Sequence, residues 1–363
     1  GRRGFRLPEE EISTPGQTSY PILFFITNCL MERVIRLRRS LRSMVRLRDV
    51  GEKRMVRSIA SMLSTSAYLG PGDDAAAIEF GGRYLVVSTD MLWETTHFHP
   101  RMSWRQKGWM AAAVNLSDIA AMGAQPLGLL LAMGLPADLN EKDVREMVQG
   151  AADCCDNFGT DYLGGDTKEC SELVLTGTSL GSTPKNGLLA RKGSRPGDVL
   201  MMTGTAGMAS AGLLALEHDV ASDRAIKDLF EPQPRIKEGT LLSSTGQVTS
   251  CMDTSDGLSM SLRELGEASG VSFEVDGSSV PIDPEVVRLA KIAEKDHMEL
   301  ALQGGGDYQL LFTVRPEGVE VVTNALGNEA KVIGRCIEGT RNVLVMGKDR
   351  MELEPKGYEH FRR

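Results

Sequence analysis

Past residue 50 the chain alternates between short continuous apolar runs and stretches in which apolar residues recur every three or four positions. That is the pattern of strands separated by helices. Tyr84–Ser88 reads as a buried strand, Gly108–Met122 as an alanine-rich helix, Leu127–Gly134 as a second strand and Glu141–Phe158 as an amphipathic helix. A further strand at Leu173–Leu180 gives way to a Gly/Pro/Lys-rich passage, Ser182 to Asp198, which reads as a boundary between two halves. The second half repeats the alternation. Val199–Thr203 is a strand, Gly207–Leu216 a helix, another helix follows Ser255, Val271–Val275 is extended, and Tyr308–Val314 is a strongly apolar strand. Two α/β halves result, without short-period repeats or low-complexity tracts.

The segment before Val45 does not share this pattern. A Pro/Glu/Ser stretch leads into an apolar patch, Tyr20 to Met31, and then into a basic run that could form an amphipathic helix for a membrane surface or RNA. The plainer expectation is a dispensable basic leader at residues 1–43, whose deletion leaves folding and activity intact. The apolar patch is too short to span a bilayer, which takes about 20 residues, and Glu9, Glu10 and Glu11 stand where a signal peptide would carry positive charge. Residues 1–50 hold ten Arg against five acids, so the net charge of −8 divides into +5 there and −13 over residues 51–363. An acidic body argues against nucleic-acid binding, which needs a basic face, and leaves room for nucleotides held through metal ions. The six cysteines contain no C-x-x-C pair, which favours buried, reduced thiols in a cytoplasmic protein over a zinc site or a disulfide framework.

Candidate chemistry lies in six acidic motifs at the expected strand and helix ends. They are Gly72-Asp73-Asp74, Ser88-Thr89-Asp90, Asn115-Leu116-Ser117-Asp118, Gly164-Gly165-Asp166-Thr167, Asp253-Thr254-Ser255-Asp256-Gly257 and Gly304-Gly305-Gly306-Asp307-Tyr308. Each sets a carboxylate beside Gly, Ser or Thr, a combination that suits a hard cation such as Mg2+. One such motif is more often a turn or a helix cap. Six in an acidic chain are harder to explain that way, because carboxylates brought together repel one another unless cations intervene. Neither G-x-x-x-x-G-K-[ST] nor a G-x-G-x-x-G between strand and helix is present, so a triphosphate would be held through Mg2+ and backbone amides. No G-x-S-x-G elbow between a strand and a helix appears, and H-E-x-x-H is missing. His97 and His99 alternate and would share one face of a strand, as a metal pair or as ordinary packing histidines.

As an ordered set, the motifs resemble the thiamine-monophosphate kinases, within the superfamily of aminoimidazole ribonucleotide synthetase-like ATP enzymes. The likeness runs from about Val45 to His360 and includes Arg48-Asp49-Val50-Gly51-Glu52, His97-Phe98, Val114 to Gly123, Tyr308 to Thr313 and Pro355 to Phe361. It implies a two-domain α/β fold. An ATP/Mg-binding and dimerisation domain at 44–184 would form a barrel across the interface of a homodimer, and 185–363 would form an α/β sandwich. It implies Mg2+ at Asp74, Ser88, Thr89, Asp90, Asp118, Asp166, Asp253 and Asp256, with Asp118 and Asp256 catalytic. It further implies ATP at Gly165, Asp166, Arg191 and Ser255, and thiamine monophosphate at His97, Tyr358 and position 306. The implied reaction is direct in-line transfer from ATP to the phosphate of thiamine monophosphate, with no membrane or nucleic-acid partner. Gly306 departs from the pattern, since the family usually carries Glu there; restoring Glu is expected to lower KM a fewfold if the loop tolerates a side chain. Related ATP enzymes, of hydrogenase-maturation or selenophosphate synthetase type, and a catalytically silent nucleotide-binding regulator are the rival readings.

Overall fold

A computed structural model describes residues 46–361 of the chain; the expected leader lies outside them. Residues 46–55 and Phe361 group into one unit and residues 56–360 into another. The first contains helix α1 (Leu47–Val50) and the start of α2 (Glu52–Met62). The second carries the two sheets.

The first sheet is built from β1 (Ala76–Phe80), β2 (Arg83–Trp93), β3 (Gln125–Leu135), β4 (Tyr162–Glu169) and β5 (Val174–Pro184), in the order β1-β2-β5-β3-β4. All neighbours are antiparallel except β3 and β4. The helices of this half are α3 (Glu94–His97), α4 (Trp104–Ala121) and α5 (Glu141–Asn157). The sheet is open, ending at β1 on one side and β4 on the other.

In the second half, β6 (Val199–Thr203), α6 (Met208–Glu217), α7 (Asp223–Phe230), α8 (Ile236–Thr245), β7 (Val248–Asp253), α9 (Leu258–Ser269) and β8 (Ser272–Asp276) follow in order. Then come α10 (Pro284–Ile292), α11 (His297–Gln303), β9 (Leu310–Val314), α12 (Val319–Leu326), β10 (Ala330–Ile337), β11 (Val343–Met346) and β12 (Asp349–Glu352). The seven strands order as β12-β11-β8-β10-β6-β9-β7 in a mixed sheet. Each apolar run named from the sequence is a strand here, extended or trimmed at its ends. Strands β1, β4, β7 and β10 to β12 were not named from the sequence.

Helix α4 positions the site. Thirteen of its eighteen residues are buried, and its apolar residues circle the whole helix. That is the signature of a helix packed on several sides. It touches β2, β5 and β3 of the first sheet and β7 of the second. Alanines at 111, 112, 113, 120 and 121 keep it thin enough for that position. Its start is fixed by a reciprocal cap: Ser103 Oγ accepts from the Gln106 backbone N–H, and the Gln106 side chain accepts from the Ser103 N–H. The core of the first half continues without a break through α4 into Met201, Cys251, Leu310 and Phe312, on one face of the second sheet. The opposite face of that sheet packs on α9 through Met252, Leu262, Phe273 and Leu311.

Candidate active site

Three carboxylates from distant segments meet. One oxygen each from Asp74, Asp118 and Asp253 lie within 4.8 Å of one another. Asp74 comes from the loop before β1, Asp118 from the last turns of α4, and Asp253 from the end of β7. The polar residues of α4 tie these parts together. Asn115 accepts from the backbone N–H of Asp90 at 2.9 Å, and its carbonyl accepts from the Ser179 hydroxyl at 2.8 Å. The Ser117 hydroxyl donates to Asp253 at 2.5 Å, and the Ser88 hydroxyl donates to Asp118. Buried, fully bonded groups of this kind hold carboxylates in fixed directions.

The electrostatics follow from this crowding. Burial pushes Asp118 well above the usual carboxylate range, and Asp90, Asp253 and Asp74 add to the rise against the Ser88 hydrogen bond. Asp253 rises to about 7 through burial and the charge of Asp74, with Ser117 and Arg191 pulling the other way. Asp73 also rises to about 7, from burial and then from Asp74. Arg191 supplies the nearest positive charge, bonding Asp74 at 2.5 Å and Glu264 at 2.8 Å. Burial opposes its charge, but the carboxylates of Asp74, Glu264 and Asp73 more than offset that and hold it protonated. The donor set is anionic and all oxygen, a fit to Mg2+ and a poor fit to softer ions.

Strand alternation separates some residues that the motifs had grouped. On β2, Ser88 and Asp90 face α4, whereas Thr89 points to the other side, where its hydroxyl donates to the Gly177 carbonyl at 2.7 Å. The Thr89 side chain therefore does not join the trio. Asp166 does not join it either: it pairs across the sheet with Ala132, on the exposed side and three strands from β2, about 14 Å at ~4.8 Å per strand. There it bonds its neighbours Thr167 and Lys168, which lower its pKa. Gly165 lies beside it against β3, where a Cβ would come 1.9 Å from the Leu131 carbonyl oxygen.

Around the trio run two loops that pack backbone to backbone. The Gly306 N–H donates to the Ser255 carbonyl at 2.8 Å, and the Thr254 N–H to the Gln309 carbonyl at 2.8 Å. Asp307 is spent on structure, accepting from the N–H groups of Gly207 (2.6 Å) and Ala209 (2.9 Å) at the start of α6. That is the cap reading of its motif rather than the cation reading. Gly306 has φ +93, and a Cβ would meet that of Ala209 at 3.2 Å. A glutamate there is strained whatever its partner, so the expected gain in KM gives way to a backbone cost. Tyr308 follows at φ +48, a rare conformation for an aromatic residue. Its phenol is raised well above its ordinary pKa by burial and then by Asp253, Asp90, Asp256 and Asp118.

The backbone of Asp256 leads to a second group of residues, since its carbonyl accepts from the Tyr358 N–H at 3.1 Å. Tyr358 and His97, far apart in sequence, come together through His360. The rings of His97 and His360 lie 5.5 Å apart, and those of Tyr358 and His360 4.8 Å apart. His99 leaves its partner of the sequence reading and packs against Phe230 at 5.9 Å, because no strand forms at 97–99. Sequence reasoning missed Asn115, Ser117, Glu264 and His360. The first two stood inside a quoted motif, and His360 inside another, but nothing local marked their partners.

Residues 72–183 match the family of AIR synthase related proteins, N-terminal domain, and residues 195–347 its C-terminal domain. The thiamine-monophosphate kinase of Methanospirillum hungatei is 40% identical over 289 residues, which cover 79% of this chain and 92% of that protein. A solved structure of AaThiL complexed with AMPPCP and TMP superposes with a TM-score of 0.79 at 30% identity, covering 88% of this chain and 99% of the other. The E. coli hydrogenase maturation protein HypE has a TM-score of 0.63 at 22% identity, covering 76% and 87%, a likeness of fold alone.

Proposed function

Because this chain belongs to the thiamine-monophosphate kinase family of AIR synthase related proteins, we propose that its acidic cleft transfers the γ-phosphoryl group of ATP to thiamine monophosphate. The observation that carries the reading is the meeting of Asp74, Asp118 and Asp253 from three separate segments. Such a cluster suits substrates that are themselves polyanions only when cations come with them. Asp74, Asp118 and Asp253 would hold Mg2+, with Asp90 and Asp256 beside them. When bound, Mg2+ supplies charge neutralisation to the phosphates and to the transferring group.

The chain's own groups do the positioning. Ser88 and Ser117 fix the carboxylates of Asp118 and Asp253. Arg191, bonded to Asp74, and Ser255 would meet the nucleotide phosphates, and His97 and Tyr358 would receive the heteroaromatic end of the acceptor. The acceptor phosphate is largely dianionic at neutral pH, since its second pKa is about 6. Its oxygen attacks the γ-phosphorus directly, ADP leaves, and no strong general base is required. Positioning and electrostatics then supply most of the rate.

The finer reading of the fold is a homodimer in which two open first sheets close into one barrel. Ile78, Phe80, Met91, Trp93 and Leu130 leave an apolar face on that sheet, and a second copy is the partner that fits it. Asp166, in register with exposed Ala132, belongs to the sheet face that the second copy would cover, and Gly165 is its neighbour on β4. The sheet separates Asp166 from the trio of its own chain, so any contact it makes with ATP belongs to the dimer. We place the enzyme in the cytoplasm, where ATP is supplied; its five described cysteines are free, and no helix among the described residues is long and apolar enough to cross a membrane.

Incubation with ATP, Mg2+ and thiamine monophosphate, followed by chromatography, is expected to yield thiamine diphosphate and ADP in equal amounts. Chelation should abolish the reaction and Mg2+ restore it. Nucleotide binding without ADP formation would favour the silent regulator instead.

A further inference from the structure

We propose that His360 is a specificity-determining residue, the third wall of a ring cage with His97 and Tyr358 that holds the cationic heteroaromatic end of the acceptor. The inference rests on the reading of the acceptor as thiamine monophosphate. His360 stands between the other two rings, 5.5 Å from His97 at an interplanar angle of 46° and 4.8 Å from Tyr358 at 87°. Both separations are those of interacting aromatic rings, about 4.5–7 Å. The near-perpendicular Tyr358 is held by its hydroxyl, which lies 3.2 Å from His360 Nδ1.

The cage is anchored on both sides. His97 Nδ1 accepts from the Trp93 backbone N–H at 3.0 Å and lies 2.7 Å from the Thr96 hydroxyl, which orients its ring. Tyr358 is fixed through its backbone bond to Asp256, at the edge of the acidic cleft. Its side of the cage is open, since Tyr358 is 44% exposed. The three rings are thus joined to the acidic cluster through the backbone of Asp256.

Charge complementarity identifies the occupant. Position 306 offers no carboxylate to a cationic ring, and its φ of +93 disfavours one. What the structure presents instead is aromatic surface, on which a flat, delocalised cation can stack, with Tyr358 as the phenol ring that attracts it most directly. His360 is the residue that joins two separate rings into one aromatic group.

The test compares the parent protein with His360→Ala and His360→Phe. His360→Ala is expected to raise KM for thiamine monophosphate about tenfold, equivalent to ~1.4 kcal/mol, with kcat and KM for ATP within about twofold of the parent. His360→Phe, which keeps a ring, should recover most of that loss. An unchanged KM in His360→Ala overturns the proposal. So does a KM rise accompanied by equal losses in kcat and by a lower Tm, the result of a merely structural role. Calorimetric titration with unphosphorylated thiamine separates this inference from the activity. If the parent forms no diphosphate, the functional reading fails. The cage then still stands if thiamine binds the parent and binds His360→Ala more weakly, and falls if it binds both alike or neither.

Discussion

At the scale of single residues, the acidic trio sets activity against stability. An unfolded Asp titrates near ~3.9, whereas Asp73 and Asp253 are raised to about 7 in the fold and Asp118 well above its ordinary range. Between those values the folded chain binds more protons than the unfolded one. Stability from these groups is therefore complete at low pH and is lost as pH rises through about 7. Without Mg2+, Tm should fall between about pH 5.5 and about pH 8, and millimolar Mg2+ should largely remove the fall. A Tm that climbs over this range in chelator would reject the cluster as the controlling group. Asp118→Asn sharpens the point, since it removes one of the repelling charges. It should lower turnover by a hundredfold or more, ~3 kcal/mol of transition-state stabilisation, while raising the Mg2+-free Tm at about pH 8. Steady-state kinetics and melting curves on the one variant check both halves.

At the scale of elements, two pairs of neighbours decide the geometry. Strand β2 sends Ser88 and Asp90 toward the trio and Thr89 away from it, because successive side chains leave opposite faces of a strand. Helices α4 and α5 approach closely at reciprocal glycines. A Cβ on Gly108 would lie 1.8 Å from the Met147 carbonyl oxygen, and one on Gly150 would lie 1.9 Å from that of Arg105. Neither carbonyl can move without shifting a helix backbone, so overpacking here exceeds the ordinary 1–3 kcal/mol. Gly150→Ala should lower Tm strongly. Activity below the transition should also fall, because displacement of α4 moves Asp118. Near-parental melting by calorimetry would show that the helices separate more easily than their contact indicates.

For the whole molecule, the open sheet carries the largest consequence. Phe80, on the edge strand β1, is 73% exposed, and Met91 63%, on β2, whose opposite face is packed against α4. A monomer leaving such residues in water exposes a patch that a twofold mate would bury, and a stable interface of this kind covers about 1,200 Å2 or more in total. The combined change Phe80→Asp and Met91→Lys should turn a dimer into a monomer by light scattering at micromolar concentration. Since neither residue touches the acidic trio, the variant should retain its fold by circular dichroism. A parent protein that is already monomeric under these conditions would remove the barrel reading.

The alternation of apolar runs and helical spacing was enough to locate the main strands and helices, because burial on one or both faces leaves a local period in the chain. The acidic motifs likewise made their oxygen-ligand chemistry legible, since Asp beside Gly, Ser or Thr is a local fact. Local facts do not tell which carboxylates meet. Asp74, Asp118 and Asp253 converge only because α4 lies between two sheets, and the same packing turns Thr89 outward, leaves Asp166 three strands away and spends Asp307 on the start of α6. His360 was legible as part of a motif, and its place between His97 and Tyr358 was not. Residue type and period are written along the chain. The site depends on contacts across more than a hundred positions, which form only when burial of the shared core outweighs the entropy of closing those loops.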